Sequence, residues 1–261
     1  MTERQAAEHL DLEEAEARLA ESREWLVSVL ARLEPMLPPK RPLDVLEVGC
    51  AQGRSLIALG ELGHRAVGID PEESALAVAG ELAARHGIDI HTRVGAAEQI
   101  PFGSASFDLV LAFSVLEHVD DLQASLREIA RVLRPGGVFW FNSASAMCPV
   151  QQEISHVPLF GWYPDPLKRR IMLWARDNRP AWVGHTQHPA LHWWTPARAR
   201  RELRQAGLED VRDRWELRAP LASGPKGRLI SLVAGRRALR LAADVAVPGC
   251  SYAARRPASA S

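Results

Sequence analysis

Cysteine and lysine are both scarce in this chain. Cysteine occurs three times, at Cys50, Cys148 and Cys250, an odd count with no short spacing. Such a set suggests neither a disulfide framework nor a thiolate metal site, and a reducing compartment, the cytoplasm, is expected. Lysine also occurs only three times, at Lys40, Lys168 and Lys226, beside abundant arginine and alanine, a bias that fits codon usage better than recognition chemistry. No run of about 18 apolar residues occurs. The N-terminus is acidic and amphipathic where a secretory signal needs a basic start and an apolar core, so neither a spanning segment nor secretion is expected.

What is present is the composition of a folded globular protein: 261 residues, 47% hydrophobic and 25% charged, enough for one sizeable core. The formal charge of zero hides an asymmetry. Residues 1–34 carry nine acids against four arginines, and residues 195–261 carry fourteen basic residues against six acids. The basic residues of that last third alternate with apolar ones at helical spacing, and no aromatic-rich strand accompanies them as a base-stacking platform, so nucleic acid is not the expected partner.

Along the chain, Leu10, Leu19, Leu26, Val29, Leu30 and Leu33 recur at helical intervals, predicting one or two N-terminal helices over 6–33 that end at Pro35 and Pro38–Pro39. From residue 41 onward short apolar runs alternate with helical stretches. Strands are expected at 43–48, 66–69, 90–94, 107–113 and 138–142, and helices at 54–62, 74–86 and 122–133, with a turn at Pro135-Gly136-Gly137. This alternation implies an α/β fold, a doubly wound parallel sheet. Residues 143–194 break the rhythm with Pro, Trp and His and one helix near 167–176, an insertion of the kind that carries function. A helix at 196–206 and a strand at 211–217 follow. A second insertion at 220–248 contains an amphipathic helix over 226–247, and a last strand is expected at 251–254. The chain thus divides into an N-terminal helical cap, 1–40, and a main domain, 41–261.

The chemistry concentrates where the first strand meets the first helix of the sheet. In Glu47-Val48-Gly49-Cys50-Ala51-Gln52-Gly53, the glycines let the backbone turn sharply and approach a ligand, and the following helix offers N–H groups. Asp70 ends the second strand, where a carboxylate can accept both hydroxyls of a ribose. Dinucleotide oxidoreductases share this geometry, but their fingerprint needs a third glycine three residues after the second, a spacing that Gly49 to Gly53 lacks. Four further stretches follow in order: 98–102 (EQIPF), 106–110 (SFDLV), 113–119 (FSVLEHV) and 133–137 (LRPGG).

With these motifs, over about 43–142, the chain resembles the class I S-adenosylmethionine-dependent methyltransferases. The resemblance implies a Rossmann-like seven-stranded sheet with its last strand antiparallel, and S-adenosyl-L-methionine as cofactor. It implies that Glu47 and Gly49 line the cofactor's amino-acid end in a loop with Cys50 and Ala51 that Gly53 closes. Asp70 then holds the ribose, Ala97 and Glu98 lie along the adenine, and Phe113 ends the fourth strand beside the methionine moiety. Two departures are plain: Ala51 stands where the family has its middle loop glycine, and Ala96 where an acid often meets the adenine.

The segment 184–196 (GHTQHPALHWWTP) is similar to the one before the last large helix of ubiquinone-pathway O-methyltransferases, with His188 at the position of that group's histidine. Across the rest of 143–190 the likeness fades, so the acceptor stays open among small molecules, glycans and lipid-linked hydroxyls, as do C- and N-methylation. A hydroxyl acceptor benefits from a base, and histidine titrates near the operating pH. His118 and His188 are the candidates, each with an alternative: His118 as a helix cap, His188 as a structural residue. His185, His188 and His192 have metal-like spacing, but no Asp or Glu lies between residues 178 and 201, so no metal is expected. The tryptophans 162, 174, 182, 193 and 194 suit packing of a lid over the acceptor, which is expected to be roofed by 143–194 and the N-terminal helices. Apolar residues on one face of 226–247, with arginines elsewhere, suit packing on the domain or peripheral contact with an anionic membrane.

Overall fold

The computed structural model describes residues 12–184, 188–221 and 224–258. After a helical stretch at 12–17, the elements run α1 (Leu19–Leu33), β1 (Asp44–Val48), α2 (Arg54–Glu61), β2 (Arg65–Asp70), α3 (Glu73–His86), β3 (His91–Val94), β4 (Phe107–Phe113), α4 (Leu122–Val132) and β5 (Leu133–Ser143). The long segment after β5 contains α5 (Asp165–Asn178). It leads into α6 (Pro196–Gln205), β6 (Glu209–Asp213), α7 (Arg214–Arg218), α8 (Gly224–Gly235), α9 (Arg237–Ala246) and β7 (Cys250–Arg255). The seven strands pair in the order β3-β2-β1-β4-β5-β7-β6, with β1 parallel to both β2 and β4 and β2 parallel to β3. The expected seven-stranded α/β architecture, with an insertion after the fifth strand, is the one observed.

The chain clusters into two compact units. The first comprises the residues up to Phe113 with Arg127–Phe139 and the residues from Arg255 on; the second comprises Ser114–Leu126 and Trp140–Ala254. In the first, β1 and β4 are apolar because both their faces are covered: Val45, Leu46 and residues 109–112 have no accessible surface. Leu12, Ala15 and Leu19 pack with Ile57, Val78 and Leu82, so the N-terminal helix shares a core with α2 and α3. The opposite, amino ends of β1 and β4 are tied by charge. Arg134 reaches Asp44 at 2.6 Å and Asp108 at 2.8 Å, and Lys40 joins both carboxylates. Hydrogen bonds from Arg65 and Arg134, against the cost of burial, hold the Asp44 carboxyl below the usual range. In the second unit, Ala144, Ile154, Phe160, Met172, Ala175, Val183, Ala190 and Trp193 form a separate core, which is what the tryptophan-rich insertion builds.

Three local expectations are corrected. Pro135-Gly136-Gly137 is not a free turn: Arg256 exchanges backbone hydrogen bonds with Gly136 and Gly137, drawing the stretch into β5. The strand expected through Leu217 stops at Asp213, whose carboxylate accepts from the N–H groups of Trp215 and Glu216 while the Glu216 side chain accepts from Asp213 N–H; this reciprocal cap starts α7. The single helix expected over 226–247 is two, because Arg236 adopts an extended backbone between α8 and α9.

Gly53, at the start of α2, has φ +70°, and a Cβ there would lie 2.8 Å from the Ala79 Cβ of α3. A Gly53→Ala variant is therefore expected to lose about 1–3 kcal/mol of stability in chemical denaturation, from left-handed strain and the displaced helix contact. Unchanged stability would mean that α2 and α3 separate without cost.

Candidate functional site

The strand order reverses between β1 and β4, and in open α/β sheets ligands bind at the carboxyl ends of the strands on either side of such a switch. Here the chain leaves β1 through Gly49, Ala51 and Gly53, with φ of 71°, 42° and 70°. This left-handed path is held by the end of β2. Gly49 and Cys50 donate their N–H groups to the Ile69 carbonyl at 2.8 and 3.0 Å, and Ala51 N–H donates to Asp70 Oδ2 at 2.9 Å. Asp70 Oδ1 in turn accepts from Glu72 N–H at 2.9 Å. Asp70 is thus a strut for the loop, and since a carboxylate offers about four acceptor positions, each oxygen retains one for a ligand hydroxyl.

Glu47, on β1, is 3% exposed and its Oε2 has no hydrogen-bond partner. Burial raises its carboxyl to about 8; a hydrogen bond with Ser55 and the nearby Arg54 charge oppose the rise, and Asp70 adds to it. A buried acid with an idle oxygen beside a backbone turn has capacity for one further donor. Cys50 points elsewhere. A Cβ on Gly68 would lie 2.5 Å from Cys50 Sγ, so the thiol occupies the space that this glycine leaves, in a cluster with Leu56 and Leu76, and only the Cys50 backbone faces the loop.

Ala97 is buried and Glu98 half-buried, in a turn closed by the Ala96–Gln99 bridge. This turn is latched to α4: Ile100 N–H donates to Glu128 Oε2, and Arg131 donates to the carbonyls of Ile100 and Phe102 while pairing with Glu128 at 2.7 Å. Phe113, at the end of β4, meets the edge of Trp25 from α1 at 4.6 Å. Nothing in the motifs points to Trp25, which lies beside the Leu26–Leu33 stripe.

In the second unit, Ser114 has φ 54°, its N–H shared between the backbone and side-chain oxygens of Asn142. Glu117 is buried with Oε2 accepting from Ser143 Oγ at 2.6 Å; burial, opposed by that bond, lifts its carboxyl to about 7. His118, next in sequence, is half-buried, and its backbone N–H donates to the Val115 carbonyl at 2.8 Å. His188 is exposed, and His185 lies outside the described residues. His192 is buried with both ring nitrogens engaged, Nε2 with the Val119 carbonyl at 2.9 Å and Nδ1 with Arg169 at 3.2 Å. Burial lowers it to about 4, against the Val119 bond and helped by the Arg169 and Arg198 charges. Of the tryptophans, 193 and 194 are buried, whereas Trp162 and Trp174 are exposed.

Residues 46–141 match a family model described as a methyltransferase domain. The ubiquinone biosynthesis O-methyltransferase of Caulobacter vibrioides is 36% identical over 124 residues, 47% of this chain and 49% of that protein. Its counterpart in Rhizobium rhizogenes is 32% identical over 123 residues, covering 47% and 50%. The chain therefore spans about half the length of the curated relatives it matches. Among solved structures, an S-adenosylmethionine-dependent methyltransferase from Mesorhizobium loti superimposes with a TM-score of 0.57 at 20% identity, over 91% of this chain and all of that one. These last figures establish a shared fold.

Because Glu47 holds its proton to about pH 8 in the fold but only to about 4.5 when exposed, the unfolded chain releases that proton first and stability falls as pH rises between those values. Glu47→Gln removes this dependence. The variant is expected to exceed the wild type by roughly 3–5 kcal/mol at pH 8 and to match it near pH 4.5 in denaturant titrations. A constant difference across that range would show that Glu47 ionises normally.

Proposed function

We propose that residues 46–141, which match a methyltransferase domain, bind S-adenosylmethionine, and that this protein is an enzyme that methylates a hydroxyl group of a small-molecule, glycan or lipid-linked acceptor. The observation that carries the reading is the buried, unpartnered Glu47 Oε2 beside a left-handed loop strapped to Asp70. The residues fit the cofactor. An oxygen of Glu47 is available to a ligand ammonium or hydroxyl, Asp70 keeps acceptor capacity for a ribose, and Gly49 and exposed Ala51 bring main chain close without bulky side chains. Ala97, Glu98 and Phe113 are then the flanking contacts.

Bound S-adenosylmethionine supplies a sulfonium methyl that is transferred in line to a nucleophile, so much of the rate comes from positioning. What this chain adds is a hold on the cofactor's two polar ends and a base for the acceptor. His118 fits the role of base, because it sits in a short segment after β4 whose neighbours are fixed by buried hydrogen bonds, and a neutral imidazole accepts a hydroxyl proton near neutral pH. Exposed His188 is the second candidate. The O-methyltransferase names of the relatives support oxygen as the atom methylated. Acceptor choice is assigned to 143–183, where likeness to them fades.

A lipid-linked acceptor draws support from α8 and α9. Leu229, Leu232, Leu239 and Leu241 stay exposed, and α9 has no buried residue. Arg228 on α8, Arg236 between the helices and Arg237 on α9 are exposed, while Arg240 is engaged by Asp213 and Glu216 at 3.1 Å. Apolar side chains amid arginines complement an anionic bilayer surface. No helix among the described residues is long and apolar enough to cross a membrane.

Titration calorimetry is expected to give binding of S-adenosylmethionine and none of NADH, with Asp70→Ala weakening the former by about 1.5–3 kcal/mol. Binding of neither ligand by folded protein would overturn the cofactor assignment, and binding without methyl transfer to any phenol, sugar or lipid-linked hydroxyl would leave a non-catalytic binder. In co-sedimentation, the protein should bind vesicles containing phosphatidylglycerol but not neutral phosphatidylcholine vesicles, and a Leu239→Glu, Leu241→Glu variant should lose that binding. Absence of binding to both vesicles would remove the membrane contact.

A further inference from the structure

His192 touches the chain on both sides of His118. Its backbone N–H, with that of Leu191, donates to the Glu117 carbonyl at 3.2 and 2.7 Å, and its ring Nε2 lies 2.9 Å from the Val119 carbonyl. A carbonyl can only accept, so Nε2 carries the ring proton and Nδ1 is left as the acceptor for Arg169 Nη2 at 3.2 Å. The same guanidinium donates through Nε to the Leu191 carbonyl at 2.9 Å, bracing the residue that shares the grip on Glu117. His192 is 5% exposed, and the Glu117 side chain is separately fixed by Ser143. Residues 117 and 119 are thus fastened while His118, between them, stays half-buried.

From this geometry we infer that His192 is a positioning residue, which, with Arg169 behind it, sets the orientation of the His118 imidazole. The inference rests on the reading of His118 as the base. It gives His192 a role that its spacing from His185 and His188 disguised: both of its nitrogens are committed inside the protein. Main-chain bonds on both sides of a base fix the point and direction from which its side chain leaves the backbone, before any acceptor arrives.

The test is carried out on the full chain with His192→Phe and His192→Gln. The phenyl ring fills similar space but cannot donate to Val119, whereas glutamine can donate there and accept from Arg169. In His192→Phe the ring ¹H–¹³C signal of His118 is expected to shift and broaden, and the amides of His118 and Leu191 to exchange at least ~10-fold faster, with unchanged S-adenosylmethionine affinity. His192→Gln should return the His118 signal and both amide exchange rates to wild-type behaviour. Should His192→Phe fail to fold, Arg169→Met is expected to speed exchange of the Leu191 and His192 amides in the same direction. An unaltered His118 signal and unaltered exchange in the folded variant, or in Arg169→Met, would overturn the proposal. The two ideas separate cleanly: if His118→Ala retains full methyl transfer while His192→Phe still disturbs the His118 signal, the base reading fails and the positioning role stands.

Discussion

The first unit depends on the capture of one loop by the end of one strand. The backbone leaving β1 must turn through three left-handed residues, a path that only glycine follows without cost, and one of the three is an alanine. Four hydrogen bonds offset that strain: two to the Ile69 carbonyl, one to Asp70 and one closing the loop from Gly53 to Cys50. The side chain proposed to hold a ribose is therefore also the one that keeps the loop in place, so a substitution at Asp70 acts on the loop as well as on any ligand. Gly68 extends the same constraint into β2, since only its missing side chain lets Cys50 turn inward.

Three of the four ordered stretches prove to be tied into the sheet, from one end of its strands or the other. Asp108 and Arg134 belong to stretches 26 residues apart, yet they meet with Asp44 and Lys40 in one network at the opposite ends of β1 and β4. The 98–102 turn is latched by Glu128 and Arg131 of α4, residues in no motif. Such partners are invisible in a linear reading, because a charged residue on an exposed-looking helix face carries no mark of the carbonyls it will find across the fold.

What was legible was whatever repeats with a period or sits at a turn. The apolar runs of β1 and β4 pointed to the parallel sheet because strands buried on both faces read as continuous hydrophobic stretches. The misread places share a cause: a local backbone preference overrode the apolar pattern. Asp213 and Glu216 form a capping box whose spacing is present in the sequence, but Val211, Trp215 and Leu217 alternate like a strand and mask it. Extended Arg236 divides a helix whose leucines keep helical spacing across the break. In the candidate site, Asp70 was read from its place at a strand end and Glu47 and Phe113 from the resemblance of the motifs, whereas Trp25 and His192 required knowing which distant carbonyl or ring each would meet.

The concealment of the thiols has a practical side. Cys50 lies beneath the β1 loop, Cys148 in the insertion and Cys250 at the start of β7, all three reduced and buried. Burial pushes the Cys50 and Cys250 thiols up, so the reactive thiolate is rare even where a reagent arrives. Alkylation must then wait for each region to open, and its rate becomes a local clock. One cysteine in the first unit and two in the second turn the untouched protein into its own set of reporters, able to time the loosening of the loop and of the insertion separately, without a label having been introduced.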